Sequence, residues 1–347
     1  MASSSLTPAG VTVAFVTGLY SPEDLARIPD TGWLVTTGMA GPENQGHLYA
    51  VEVDRLEATE IYPAGAGQRL DRETYGDVEP PDLRDFSAVG IGLRAGDAGV
   101  HTVYVVNHGG RSAVEVFEID ATGDRPVATW VGVIHHDKGV LGNAVAPLPD
   151  GGIVATNFMS LDDPQAFDDV LAGRPTGNVK EWHQRTGWED VPGTECCSAN
   201  GVDVSPDGAW CFVNAWAVNR VLRVSRGRTP AQRDEVELSI MPDNVKWTER
   251  GRLLVTGQES EATTVFAGVR AGPTYDVSLK VIAIDPETLA VDELLRFSEP
   301  GGFGTASTAL DVDGSIWVGT ARGDRLAAFR LPQVPPALGL ADGSLTA

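Results

Sequence analysis

One phrase of sequence recurs along this chain, and repetition at this spacing narrows the choice of fold more than any other property. Each copy opens on a polar residue, runs through an alternating apolar segment, turns at Asp or Gly, and returns as a second apolar segment. The clearest copy is Asn200-Gly201-Val202-Asp203-Val204-Ser205-Pro206-Asp207-Gly208, followed by Trp210-Cys211-Phe212-Val213-Asn214. Asn143-Ala144-Val145 opens a second copy that continues into 153–157, and Asp243-Asn244-Val245 a third that continues into 252–256. Ser307-Thr308-Ala309 leads into 316–320, and Glu23-Asp24-Leu25 into 33–37. A sixth, degenerate copy opens at Val89-Gly90-Ile91 and continues in Thr102-Val103-Tyr104-Val105-Val106-Asn107-His108. Alternation of apolar and polar residues is the period of a strand, and a third alternating segment follows each copy, as at 113–119, 220–224 and 326–330. The openings lie 43 to 66 residues apart, the length of one four-stranded blade with variable loops.

Six copies fill the 347 residues. The pattern predicts an all-β chain, a single six-bladed β-propeller with four-stranded blades, its core over about residues 11–332. The apolar strand at 11–15 has no place in the first copy. It is expected to complete the last blade and so remove an open sheet edge. With 40 Gly and 22 Pro, the chain has the turn residues that many short strands need. Stretches 63–85, 158–193 and 257–278 are polar and rich in Gly, Pro and Asp. They read as loops, some forming a lid over one face, with a short helix near 164–172. Aromatic residues in or near them, Phe158, Trp182, Trp188, Trp216 and Tyr275, are candidate walls of an apolar pocket.

Charge and cysteine content exclude several classes of partner. A net charge of −22 repels a phosphate backbone, so nucleic acid is not expected. No run of 18 apolar residues marks a membrane span, and residues 1–6 lack the basic and apolar regions of a secretory signal. The three cysteines, Cys196, Cys197 and Cys211, form neither a disulfide framework nor a zinc-type CxxC spacing. A reduced cytoplasm fits that usage.

In a propeller, equivalent positions of the blades lie at one height around the axis. The openings Glu23, Val89, Asn143, Asn200, Asp243-Asn244 and Ser307 should therefore converge on the central channel. Glu23 and Asp243 bring carboxylates, and Asn143, Asn200 and Asn244 bring amide oxygens. Five hard oxygen donors without thiolate or imidazole suit Ca²⁺, then Mg²⁺ or Mn²⁺. Asn-Gly and Asp-Asn are also common turn formers. Five oxygens at equivalent places in a repeat, two of them carboxylates that would be costly to bury alone, favour a cation.

Taken together, these motifs resemble the paraoxonase family and, more remotely, the gluconolactonase family. Glu23-Asp24-Leu25 is similar to the first metal-binding stretch, and 104–108 to the strand that carries an active-site histidine. The run from Ser198 to Gly208 is similar to a signature shared by both families, and Asp243-Asn244 to the paraoxonase Asp-Asn pair. The resemblance implies one catalytic calcium held by Glu23, Asn143, Asn200, Asp243 and Asn244, and hydrolysis of a small lactone or aryl ester. Two positions depart from it. The family's first active-site histidine falls on Val89, so only His108 remains of the pair. The family's second calcium would use Asp24, but its partner position is Ala144, so a single calcium is expected.

The resulting expectation is that calcium polarises a carbonyl and water attacks it, with Asp243 as first candidate base and His108 as second. His135-His136 is a further loop pair of lesser weight, and no Gly-x-Ser-x-Gly elbow is present. A lyase or isomerase on the same metal, or a calcium-pinned propeller used only for binding, are the alternatives.

Overall fold

The computed structural model describes residues 8, 10–42, 44–271, 277–298 and 303–332, without the side chains of 269–271. Its strands form six antiparallel sheets arranged as a six-bladed β-propeller. Blade 1 runs outward through Leu25–Arg27, Trp33–Gly38, His47–Glu52 and Glu57–Tyr62. Blade 2 uses Ala88–Arg94, Val100–Asn107, Ala113–Asp120 and Val127–His135, with the two-residue strand Gly67–Gln68 added in parallel to its outer edge. Blades 3, 4 and 5 start with Val140–Pro147, Ala199–Val204 and Met241–Trp247. Blade 6 runs through Ala306–Val312, Ser315–Thr320 and Arg325–Arg330.

The fourth strand of blade 6 is Thr12–Thr17, near the other end of the chain. It pairs antiparallel with Arg325–Arg330, from Thr12 opposite Arg330 to Thr17 opposite Arg325. The leftover strand of the sequence therefore closes the ring, and the innermost strands touch from blade to blade all the way round.

Apolar packing lies between blades. Phe86, Ile91 and Phe117 of blade 2 meet Val35 and Leu48 of blade 1. Cys211 and Val213 of blade 4 meet Val154 and Val179 of blade 3. Phe329 and Val318 of blade 6 meet Val281 and Phe297 of blade 5. The remaining three junctions are filled in the same way. Each fully buried large side chain contributes about 1.5–3 kcal/mol, so the six junctions together carry most of the stabilisation. All three cysteines are free and buried among these contacts. Among the described residues no helix is long and apolar enough to cross a membrane.

The stretches that read as loops hold more regular structure than their composition suggests. Within 158–193 lie the two outer strands of blade 3, Asn178–His183 and Gly187–Asp190. Only Val179 of the first is buried, because an outermost hairpin faces solvent and its side chains need not be apolar. The expected helix occurs as Ala166–Leu171. A longer helix, Ala262–Ala271, occupies a stretch whose composition reads as loop, and Arg72–Tyr75 forms a single turn.

The feature that positions the site is a repeated irregularity of the innermost strand. In blades 2 to 5 two residues face one on the next strand. Val89-Gly90 lie against Val106, Asn143-Ala144 against Thr156, Asn200-Gly201 against Asn214, and Asp243-Asn244 against Thr256. In blade 6 Ser307 is the extra residue. A bulge of this kind re-aims a side chain. Here it turns the repeat openings toward the axis.

At four of the six junctions, from blade 3 round to blade 1, a polar side chain binds the inner strand of the next blade. Thr156 Oγ1 donates to Asn200 O and Asn214 Nδ2 to Asp243 O, both at 2.7 Å. Gln258 Nε2 donates to Ala306 O, and Ser307 Oγ to Glu23 O. The backbones approach so closely that Gly201 has no room for a Cβ, which would lie 2.5 Å from Asp243 O. Gly201→Ala should therefore lower the unfolding free energy by about 1–3 kcal/mol, the usual cost of overpacking. Gly32→Ala, where a Cβ meets nothing within 4 Å, should be close to neutral. Denaturant unfolding of both variants checks this.

Candidate functional site

At one end of the hub the bulges enclose a cavity of about 200 Å³. Glu23, Asn143, Asn200 and Asp243 line it, with Val89 and His108 beside them. Four of the five oxygen-bearing residues singled out from the sequence thus meet in one place, on blades 1, 3, 4 and 5. Asn244 is not part of the lining. It is buried, and its Nδ2 donates to Glu23 Oε1 at 3.0 Å, which orients that carboxylate.

Three of the converging oxygens are buried without any hydrogen-bond partner among the described residues: Glu23 Oε2, Asn143 Oδ1 and Asn200 Oδ1. Buried acceptors are nearly always satisfied, and a carboxylate left bare is especially costly. Asp243 is better supported, its Oδ2 accepting from Gln258 Nε2 at 3.0 Å. Burial, followed by the charges of Asp24 and Asp243, raises the Glu23 carboxyl well above its usual range. Asp243 is also raised, by burial first and then by Asp24, against the lowering effect of hydrogen bonds from Gln258 and Asn200. Among the described residues no group of three or more His, Cys, Asp and Glu side chains is placed to hold a metal. The donor set is instead half carboxylate and half amide, which is oxygen chemistry for a hard cation.

His108 follows Val100–Asn107 of blade 2 and also lines the cavity. Its Nε2 hydrogen-bonds Gly142 O. A carbonyl only accepts, so Nε2 carries the proton, and Nδ1 has no partner among the described residues. Burial lowers its pKa, which favours the neutral ring. His136 packs against the same residue, Gly142. A Cβ on Gly142 would lie 2.6 Å from His136 Nε2, and neither ring nitrogen of His136 has a partner. Burial, then the neighbouring His108, pushes the His136 pKa down to about 4. In the sequence it is only half of a loop pair; the pairing of blade 2 with blade 3 is what brings it to His108. His135 is exposed.

Apart from Thr305 and Arg322, the rest of the cavity wall is apolar. Phe158 and Trp216 line it, with Met39, Ala321, and Val265 and Phe266 from the helix Ala262–Ala271. Trp216 sits 5.9 Å from Phe158 and 5.3 Å from Phe266 between ring centroids, and its Nε1 donates to Gln258 Oε1. Trp182 and Trp188 pack elsewhere, against the junction of blades 2 and 3. Tyr275 lies outside the described residues.

At the opposite ends of the innermost strands the hub opens into a wider cavity of about 660 Å³. Between the two cavities lies Asp24. Its Oδ1 accepts from Leu25 N, and its Oδ2 from Ile91 N and Lys246 Nζ, each at 2.8 Å. Lys246 Nζ also reaches Ile91 O at 2.8 Å. The Asp24 carboxylate is fully satisfied by protein donors, unlike that of Glu23 one residue before it.

No family model matches the chain, and no curated protein does. Similarity is found among solved structures. A luciferin-regenerating enzyme is 13% identical with a TM-score of 0.58, over 94% of this chain and 96% of that one. A candidate gluconolactonase is 14% identical with a TM-score of 0.54, over 94% and 93%. A candidate oxidoreductase (glucose dehydrogenase) from Thermus thermophilus is 17% identical with a TM-score of 0.51, over 92% and 100%. At these identities the likeness is one of fold.

The raised Glu23 pKa has a consequence for stability. An acid whose pKa rises on folding is protonated in the folded state at pH values where the unfolded chain has released its proton. Its contribution is intact below the unfolded value of about 4.3 and is lost as pH rises through the folded value. In chelator, Glu23→Gln should therefore melt near wild type at pH 5 and above it at pH 8, by about 1.4 kcal/mol for each pKa unit titrated. Thermal melts of the two proteins across this range check the sign.

Proposed function

We propose that this chain is a calcium-dependent hydrolase of a small lactone or ester. The observation that carries the reading is the set of three bare buried oxygens, Glu23 Oε2, Asn143 Oδ1 and Asn200 Oδ1, facing one cavity from three blades. These residues and Asp243 fit a hard cation, with Asn244 orienting Glu23. Held there, Ca²⁺ would supply positive charge beside a substrate carbonyl and the oxyanion that develops from it. One such ion is expected, since Asp24 already has Lys246. The ordered motifs that resemble paraoxonases and gluconolactonases support the same chemistry.

The chain's own residues do the rest. Phe158, Trp216, Val265 and Phe266 hold the apolar body of the substrate and exclude water from all but its reacting edge. His108 accepts the proton of the attacking water at Nδ1, its tautomer set by the Nε2 hydrogen bond to Gly142 O. The sequence places Asp243 first in that role. The hydrogen bonds from Gln258 and Asn200 make it the better anchor, and the open Nδ1 makes His108 the better base.

A panel of lactones and aryl esters, assayed with calcium and with chelator, tests the activity. Turnover that appears with calcium and vanishes with chelator is expected; no hydrolysis of any member with calcium bound would overturn the proposal. At saturating calcium, His108→Gln should lose about 10²–10⁴-fold in kcat with calcium content unchanged. Asp243→Asn should bind calcium weakly and regain much of its rate as calcium is raised. The reverse pattern would return the base to Asp243.

A further inference from the structure

Arg322 brings the only cationic side chain to the cavity wall among the described residues. It follows Ser315–Thr320 of blade 6, and among the described residues its hydrogen bonds are made by its backbone alone. Arg322 N donates to Thr320 Oγ1 at 3.2 Å, and Thr320 Oγ1 donates to Arg322 O at 2.7 Å. The guanidinium has no carboxylate partner among the described residues. Arg94, Arg125, Arg185, Arg228, Arg250 and Arg330 also lack one, but none of these lines the cavity. Each of the four lysines is in an ion pair: Lys138 with Asp162, Lys180 with Asp190, Lys246 with Asp24, and Lys280 with Glu293.

The charges of the cavity point to what Arg322 is for. Among the described residues its acids are Glu23 and Asp243. A divalent cation on these two leaves no net charge at the oxygen cluster, and Arg322 then makes the loaded cavity singly positive. The same cavity has an apolar and aromatic wall: Phe158, Trp216, Val265, Phe266. A guanidinium presents a planar fork of donors that matches a carboxylate.

We propose that Arg322 selects substrates carrying a carboxylate, so that the molecule taken is a small monoanionic lactone or ester with an apolar body. This rests on the hydrolase reading for the reacting carbonyl, but the acid-binding role of Arg322 can be tested without turnover. The carbonyl faces the oxygen cluster, the body lies against the aromatic wall, and the carboxylate meets Arg322.

Two matched pairs of probes separate the questions. An aryl-substituted five-membered lactam bearing a carboxylate, and its carboxamide twin, report binding by calorimetry in calcium. The corresponding lactones report kcat/KM. The carboxylate lactam should bind at least about tenfold tighter than its twin, as expected for a hydrogen-bonded charge pair away from bulk water. That ratio should fall to near one in Arg322→Gln, persist in part in Arg322→Lys, and reverse in Arg322→Glu. The backbone hydrogen bonds of Arg322 survive all three substitutions, and thermal melts verify folding. Equal binding of the twins by wild type, no binding of either, or an unchanged ratio in Arg322→Gln would overturn the proposal. Preference in binding with neither lactone hydrolysed would overturn the hydrolase reading and leave the acid site standing. Hydrolysis of both lactones at equal kcat/KM would do the opposite.

Discussion

The structure depends on one constraint repeated round the axis. In each of blades 2 to 5 the innermost strand carries two residues where its neighbour carries one, and the surplus faces inward. The bulge breaks ladder pairing, so its backbone groups need other partners. In blades 4 and 5 side chains of the preceding blade supply them, Thr156 for Asn200 O and Asn214 for Asp243 O. The same hydrogen bonds that join blades therefore fix the inward residues in height and direction. Site and ring closure are one piece of construction, and a change that loosens one loosens the other.

That shared origin explains why so much is legible in the sequence. Strand alternation and the recurring opening phrase are enough for six blades, for the closing strand at the N-terminal end, and for the convergence of Glu23, Asn143, Asn200 and Asp243. The blade count and the convergence are properties of inner strands, where burial on both faces forces a strict pattern, whereas the closing strand shows as an alternating segment left over from the repeat. The outer strands of blade 3 obey no such demand. Lys180, Glu181 and His183 lie there in ion pairs at the surface, and the segment reads as loop. The helix Ala262–Ala271 is hidden differently: among its described side chains, Ala262, Val265 and Phe266 pack inward, with Phe266 against Trp216 and Phe167. His136 and Arg322 could not be assigned from sequence. Neither opens a repeat, so the recurring phrase does not mark them.

The hub also separates two acids that adjoin in sequence. Glu23 turns to the narrow cavity, where its Oε2 is bare, and Asp24 turns to the other side, where three donors meet it. Alternation along an extended segment sends successive side chains to opposite faces, so two adjacent carboxylates serve two different compartments. Asp24 still raises the cost of ionising Glu23 through its field, so the compartments are coupled electrically although they share no oxygen.

Lys246 adds a property of its own to this arrangement. Its ammonium joins Asp24 of blade 1 and Ile91 O of blade 2 to the innermost strand of blade 5, as a bound ion would. A diffusible ion occupies its place only in proportion to its concentration and can be stripped away. A cation on a covalent arm is present at fixed effective concentration in every molecule. The lower hub is thus held independently of the ionic supply of its surroundings, and whatever the upper cavity gains or releases need not unlock the ring.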